Sequence, residues 1–226
     1  MKQKKRTTPP LERYYRRLLN AYGPQHWWPA DSRFEIMIGA ILTQNTAWRN
    51  VERAVANLKR EGLMTPQALR KVSVRRLAEA IRPSGYFRVK AGRVKAFVRF
   101  LIQQYEGDLL RMMSEQSGVL RSQLLSVKGI GPETADSILL YALDVPIFVI
   151  DAYTRRVLNR HRLTPAKVSY DRLQRFFMDQ LQPRVAVYNE YHALLVKVGK
   201  EHCKPTPVCQ ECPLKVYLNG KHPKIG

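Results

Sequence analysis

Hydrophobic residues recur three and four positions apart along most of the chain, which is the spacing that places them on one face of an α-helix. The pattern is present over residues 11–22, 34–42, 51–58, 89–105, 135–143, 170–181 and 186–198. Glycine and proline residues separate these runs, as at Gly23-Pro24 and at Pro83-Ser84-Gly85. The pattern predicts an all-α fold of roughly ten helices joined by short loops.

The charge of the chain indicates what it binds. The 226 residues include 39 lysines and arginines against 18 aspartates and glutamates, which gives a formal charge of +21. Such a charge attracts polyanions, so we expect a nucleic acid as the main partner. No apolar run approaches the ~20 residues of a membrane span, and MKQKKRTTPP lacks the apolar part of a secretory signal. We therefore expect an intracellular, cytoplasmic protein associated with the nucleoid. We also expect it to be a monomer.

The segment VKGIGPETADSILLYAL predicts a tight turn that leads into a helix. Gly129 and Gly131 flank Ile130, and Pro132 suits the first turn of a helix. Glycines allow the backbone to approach a phosphate closely, and Lys128 adds a positive charge beside the turn. The segment is either a grip on the DNA backbone or an ordinary turn between two helices.

Asp151 stands between the apolar segment PIFVI and the helix-like segment AYTRRVLNRH. An aspartate at this position is commonly a helix N-cap. A partly desolvated carboxylate can also stabilise positive charge that develops on a sugar. The two interpretations are compatible, and the arginines that follow Asp151 are candidates for contacts with a DNA backbone.

The three tryptophans form a second candidate site. Trp27, Trp28 and Pro29 lie in the loop HWWP, and Trp48 follows closely in sequence. Each tryptophan could belong to the core, but two neighbours in a proline-bounded loop cannot both face the same core. Indole rings could instead stack on an extruded base and attract a cationic one by cation–π contacts.

Several of these segments together resemble the endonuclease III superfamily of DNA glycosylases, and among them the 3-methyladenine DNA glycosylases of endonuclease III type. The motifs are HWWPA, FEIMIGAILTQNTAW, IRPSGYF and KGIGPETADSILLYA followed by an aspartate, with a cysteine loop near the C-terminus. The resemblance implies a helical lobe over residues 31–142, with a helix-hairpin-helix over about 118–143. It also implies a second lobe, formed by residues 1–30 and 143–226, and double-stranded damaged DNA in the cleft between the lobes.

The resemblance assigns roles to individual residues. It implies that Asp151 is catalytic, that the loop with Gln44 and Asn45 enters the duplex, and that Lys200 reaches the base pocket, unless Lys200 is simply solvated. Strand-cleaving members have a nucleophilic lysine at the position of Glu133, and a glutamate cannot form a Schiff base. The implied activity is therefore monofunctional release of alkylated purines such as 3-methyladenine.

The cysteine loop resembles the iron–sulfur loop of many endonuclease III relatives. Cys203, Cys209 and Cys212 are the only cysteines of the chain, and Leu218 stands where the family pattern has a fourth. The resemblance implies a 4Fe–4S cluster with an incomplete cysteine set. The alternatives are zinc completed by a histidine, such as His202, and a loop without metal. The reaction itself needs no cofactor.

Three other functions stay open on the sequence. The chain could be a glycosylase for mispaired thymine or oxidised pyrimidines, or a bifunctional enzyme that also cleaves the strand. It could also be a helix-hairpin-helix module that binds DNA without catalysis.

Overall fold

The computed structural model describes residues 10–224, and this part of the chain is helical without any β-strand. The α-helices are α1 (Pro10–Tyr22), α2 (Arg33–Leu42), α3 (Trp48–Arg60), α4 (Pro66–Lys71), α5 (Val74–Ala80), α6 (Phe87–Tyr105), α7 (Leu109–Met113), α8 (Ser117–Ser126), α9 (Pro132–Ser137), α10 (Ala152–Arg160), α11 (Tyr170–Met178) and α12 (Val185–Glu201). The predicted all-α fold is confirmed. The basic run KQKKR lies outside the described residues.

The described chain divides into two compact units. One unit consists of residues 28–145, and the other combines the described residues before position 28 with those from position 146 onward. Within residues 10–224, no helix has both the length and the apolar character that a membrane span requires.

The unit of residues 28–145 is built around α2, in which eight of the ten residues are buried. Ser32 caps α2, and Thr65 and Ser73 cap α4 and α5 in the same way, each by accepting a hydrogen bond from a backbone N–H of the first turn. Helix α6 packs along α4 and α5.

A hairpin of α8 and α9 belongs to the same unit. Asp136 is fully buried and accepts two hydrogen bonds from Arg121, at 2.7 and 3.2 Å, which join the two helices. Helix α9 continues into a π-helical turn, Ile138–Ala142, whose side chains are all buried. Such turns widen the helix locally and often occur at functional sites.

The other unit is organised by α1, α10 and α12. Helix α1 buries Leu11, Tyr14 and Leu18, which lie on one face, and packs against α12. Helix α10 also packs against α12, and the approach is close because residue 199 is a glycine. A Cβ at Gly199 would lie only 2.5 Å from the ring of Tyr153. The two helices can therefore come nearer than side chains usually allow.

Candidate active site

Asp151 is the N-cap of α10. Its backbone is extended, and its Oδ1 accepts a hydrogen bond of 2.7 Å from the backbone N–H of Thr154. The side chain is only 12% exposed, and its Oδ2 lies 3.7 Å from Nε2 of His192. Within residues 10–224, no lysine or arginine forms an ion pair with Asp151. One oxygen of the carboxylate is thus hydrogen-bonded, the other lies beside His192, and neither is paired with a lysine or arginine among the described residues.

The arginines that follow Asp151 are occupied within the protein. Arg155 donates a hydrogen bond of 2.7 Å to the carbonyl oxygen of Val168. Arg156 donates to the carbonyl oxygens of Cys203 and Gly199. Both guanidinium groups support the fold around α10, and contacts with a DNA backbone stay a prediction for them.

Trp28, Pro29 and Trp48 line one pocket in the unit of residues 28–145. The pocket has a volume of about 220 Å³, and its other lining residues are Glu35, Gly39, Glu52, Val55, Ala56 and Lys59. The ring of Trp28 meets that of Trp48 edge to face at 4.9 Å. A Cβ at Gly39 would lie 3.2 Å from the Trp28 indole, so a glycine at this position makes room for that ring.

Two further features shape this pocket. Tyr141, from the π-helical turn, packs against Trp28 with 5.3 Å between ring centres. Glu35 is neutralised by an ion pair of 2.7 Å with Lys59, whereas Glu52 is exposed. The pocket therefore combines two electron-rich rings with an accessible carboxylate, which suits a flat cationic ligand.

Trp27 and Lys200 form a pair in the other unit. The ammonium group of Lys200 lies 5.9 Å from the centre of the Trp27 ring, within the range of a cation–π contact. Lys200 is exposed and Trp27 is half-buried. Trp28, Pro29 and Trp48 thus lie together in one pocket. Trp27 and Lys200 form a separate contact in the other unit.

The glycine turn between α8 and α9 is as tight as its sequence predicts. Lys128, Gly129 and Gly131 are exposed, while the side chain of Ile130 is buried and anchors the turn. Gly129 has φ of 90°, a conformation that favours glycine. A Cβ on Gly129 would lie 2.4 Å from Arg93 Cγ, so the arginine side chain fills the space beside the turn.

Gln44 connects the loop after α2 to this turn. Its amide nitrogen donates to the carbonyl oxygen of Gly129 at 3.0 Å and to the hydroxyl of Thr134 at 2.9 Å, and its oxygen accepts a hydrogen bond from Arg93. Asn45 is exposed and has φ of 53°. The polar group of Gln44 is therefore used inside the protein, and Asn45 is the exposed polar residue of this loop.

Glu133 lies in the first turn of α9 and is exposed. A carboxylate at this end of a helix is favourable, because the free N–H groups carry partial positive charge. The side chain of Glu133 is thus suited to its local structure.

The cysteine loop is held by an arginine. Arg160 is buried and donates to the carbonyl oxygens of Lys204 and Pro205 at 2.5 and 2.6 Å, and to the sulfur of Cys203 at 3.3 Å. Burial raises the pKa of the Cys209 thiol and of the Cys212 thiol, which favours their protonated forms.

The donor set does not fit a four-iron cluster. Leu218 is buried, and its side chain cannot bind iron. Among residues 10–224, no group of three or more histidine, cysteine, aspartate or glutamate side chains is arranged to hold a metal ion. The His202 ring bonds the carbonyl oxygen of Val208 through its Nδ1.

Three residues of these sites were missed by sequence reasoning. Lys90 is buried and donates to the carbonyl oxygens of Leu42 and Ser84 at 2.9 and 2.6 Å, and burial lowers its pKa to about 8. Arg93 supports Gln44, and His192 faces Asp151. Two of them could have been found from the sequence, because Lys90 and His192 are polar residues that interrupt the apolar faces of α6 and α12.

Comparisons with known sequences agree on one family. The sequence profile of the HhH-GPD superfamily of base excision DNA repair proteins matches residues 38–183. A protein of Methanocaldococcus jannaschii named as a DNA repair glycosylase is 43% identical over 212 residues, which cover 93% of this chain and 96% of the relative. Endonuclease III of Thermotoga maritima is 29% identical over 187 residues, or 80% of each chain.

Solved structures share the fold. The 3-methyladenine DNA glycosylase of H. pylori, bound to 1,N6-ethenoadenine, superposes with a TM-score of 0.72 and 28% identity, over 84% of this chain and 95% of that one. A complex of endonuclease III with DNA has a TM-score of 0.80 and 22% identity, over 93% and 94%.

Proposed function

Because the chain belongs to the HhH-GPD superfamily of base excision DNA repair proteins, we propose that it is a monofunctional DNA glycosylase for alkylated purines such as 3-methyladenine. The superfamily removes bases from damaged DNA, and the choice of base and the fate of the sugar are what we propose here. We further propose that the enzyme acts as a cytoplasmic monomer on double-stranded DNA.

The pocket of Trp28 and Trp48 is the observation that carries the choice of substrate. A purine alkylated on a ring nitrogen is flat and cationic, and the faces of indole rings attract such a ring by about 0.5–2 kcal/mol each. The exposed carboxylate of Glu52 adds to this preference. The similarity to a protein named as a 3-methyladenine DNA glycosylase supports the same class of substrate.

Asp151 is the proposed catalytic residue. When the N-glycosidic bond breaks, its electron pair leaves with the cationic base, which becomes neutral, and positive charge builds on the sugar. The Oδ1 atom of Asp151 is used in capping α10, so Oδ2 is the oxygen available to that charge. Water then adds to the sugar and loses a proton, which leaves an abasic site.

The glycine turn is the proposed grip on the DNA backbone. Gly129 and Gly131 are exposed and carry no side chain that would keep a phosphate away, and the exposed Lys128 supplies charge. Binding to undamaged duplex should therefore weaken steeply as salt rises, in the same way for all sequences. The exposed Asn45 is the proposed residue that enters the duplex.

The enzyme is proposed to lack strand cleavage because Glu133 stands in the place of the lysine nucleophile. Borohydride reduction during turnover should leave no covalent complex between enzyme and DNA. A stable adduct would assign the nucleophile to another amine, with Lys128 the first candidate, and the variant Lys128→Arg would then remove the adduct.

The cysteine loop is proposed to fold without a metal. Its carbonyl groups are bound by Arg160, its place for a fourth cysteine holds Leu218, and base release from a cationic purine needs no redox group. Purified protein should be colourless, and metal analysis should find neither iron nor zinc in stoichiometric amount.

Base release tests the substrate proposal. Alkylated duplex DNA is incubated with the enzyme, and the released bases are separated by chromatography. We expect 3-methyladenine among the products and no release of thymine from mismatches or of oxidised pyrimidines. The variant Trp28→Leu should slow release of the cationic base about tenfold, or ~1.4 kcal/mol in the barrier, and Glu52→Gln a few-fold. Equal release of cationic and neutral lesions by the wild type would contradict the pocket's role.

A further inference from the structure

His192 is a buried histidine that faces Asp151. Its side chain is only 8% exposed, and its Nε2 lies 3.7 Å from Oδ2 of Asp151. This distance is a close polar contact, slightly longer than a hydrogen bond. The contact is made to the oxygen that is not used in capping α10, so the two oxygens of Asp151 have different partners.

The packing of two helices fixes this contact. His192 and Gly199 are seven residues apart on α12, which places them two turns apart on nearly the same face. Gly199 lies against Tyr153 of α10, where a side chain at residue 199 would clash with the ring. The same face of α12 therefore carries His192 to the start of α10, where Asp151 is located.

The surroundings of His192 are aromatic. The ring of Phe148 meets the imidazole edge to face at 6.5 Å and stacks on Phe177 at 4.0 Å, with Tyr188 and Tyr191 around it. Burial lowers the pKa of His192, against the opposing effect of Asp151. At neutral pH the imidazole is thus a polar but uncharged neighbour of the carboxylate.

We infer that His192 is a positioning residue for Asp151, whose catalytic role is the proposed function on which this inference rests. The imidazole holds Oδ2 in one orientation through a polar contact. Because it is uncharged, it leaves the full negative charge of the carboxylate for the sugar cation. A lysine or arginine in its place would hold the carboxylate equally well but would cancel that charge.

The test uses two replacements of one side chain. His192→Gln keeps an N–H donor near the position of Nε2, and His192→Phe keeps the ring without a donor. Single-turnover excision from alkylated duplex is measured at saturating enzyme, together with the affinity for an undamaged duplex and the melting temperature. We expect His192→Phe to be slower by about 10–100-fold with affinity unchanged within about threefold. His192→Gln should recover most of the rate.

Two controls separate positioning from general damage to the core. Tyr188→Leu alters the same aromatic cluster without touching Asp151, so its rate per folded molecule should stay at the parental value. The double variant Asp151→Asn with His192→Phe should be no slower than Asp151→Asn alone, because the two residues act as one unit.

The outcomes also separate this inference from the proposed function. If Asp151→Asn is inactive and His192→Phe excises at the parental rate, the positioning role of His192 is wrong while the function of Asp151 stands. If Asp151→Asn keeps the parental rate, the proposed function itself fails. If His192→Phe does not fold, His192→Gln decides alone: a rate within about tenfold of the parental one, with unchanged affinity, supports the inference, and a larger loss overturns it.

Discussion

Asp136 and Asp151 are both largely buried, but their carboxylates have different partners. Asp136 is fully buried and lies in the unit of residues 28–145. Its carboxylate accepts two hydrogen bonds from the charged guanidinium group of Arg121. Asp151 lies in the other unit, caps a helix with one oxygen and meets a neutral imidazole with the other. The first carboxylate is paired with a cation of the protein, whereas the second forms no ion pair with a lysine or arginine among residues 10–224.

The difference separates a carboxylate in a structural ion pair from the carboxylate that we propose takes part in catalysis. Breaking a buried ion pair is costly, so Asp136 and Arg121 tie α8 to α9 and keep the glycine turn in shape. A carboxylate already paired with arginine would have little charge left to stabilise a sugar cation. Burial alone therefore does not identify a catalytic acid, but burial without a cationic partner does point to one.

The largest expected effect tests the chemical side of this comparison. Asp151→Asn should slow base excision by roughly 10²–10³-fold or more, because the amide carries no charge. Asparagine is an equally good N-cap, so the melting temperature should change little. Single-turnover kinetics with a parallel binding assay measure both. Excision near the parental rate would remove Asp151 from the mechanism, and an unfolded variant would make it a structural residue like Asp136.

The second-largest expected effect tests whether the ion pair of Asp136 with Arg121 is structural. Asp136→Asn removes the carboxylate charge that accepts two hydrogen bonds from Arg121 and should destabilise the unit by about 2–3 kcal/mol, less than for a wholly buried pair because the Arg121 side chain is 25% exposed. Urea denaturation gives this value. Excision per folded molecule should stay within a few-fold of the wild type. A stable but inactive variant would show that the carboxylate of Asp136 has a chemical role.

The two glycines of the turn give a matched pair with a smaller effect. Gly129→Ala places a Cβ at positive φ and against Arg93, and should cost about 1–2 kcal/mol and weaken binding to every duplex. Gly131 has φ of −96° and open space around it, so Gly131→Ala should change stability by less than about 0.5 kcal/mol. Equal effects at both positions would mean that the shape of the turn is not what the DNA requires.

Acid should change the partners of the two aspartates differently. Arg121 keeps its charge, whereas burial lowers the pKa of His192 from its ordinary value, against the opposing effect of Asp151. The pKa of His161 is also lowered, to about 4, by burial and by the charge of Arg162. Both histidines therefore bind protons at a higher pH in the unfolded chain than in the folded protein. The free energy of unfolding falls as the pH drops from 6.5 towards 4.

The expected loss between pH 7 and pH 5 is on the order of 1–2 kcal/mol from His161, measured by urea denaturation at each pH. The variant His161→Phe should lose correspondingly less on acidification. An unchanged loss in this variant would show that the acid-sensitive groups lie elsewhere. The variant His192→Gln then isolates the contribution of the imidazole beside Asp151.

Long amphipathic helices could be predicted from the sequence. The apolar runs over 34–42, 89–105 and 186–198 coincide with α2, α6 and α12 within a few residues. Helices α4, α5 and α7 have seven residues or fewer, so they are too short for a periodic pattern to develop. Their N-caps Thr65, Ser73 and Asp108 were the available signals.

The candidate sites were predictable in part. The capping role of Asp151 and the tight turn at Gly129 follow from local sequence, because their causes lie within a few residues. The partners of Asp151 and Gln44 do not, since His192 and Arg93 are more than forty positions away in sequence. Which side chains meet across such separations depends on helix packing, as at Gly199, and single-sequence patterns do not specify it.

The division of the chain into units has a consequence for its synthesis on the ribosome. The unit with Asp151 combines an early segment and a late one, so the apolar face of α1 emerges long before α12, its packing partner. Residues 28–145 are complete in the meantime, and as one compact unit they are free to fold first, since domains generally fold as they emerge. During this interval Leu11, Tyr14 and Leu18 are available to chaperones or to other nascent chains. A chain released before α12 would already have the glycine turn but would lack the helix that carries His192 to Asp151.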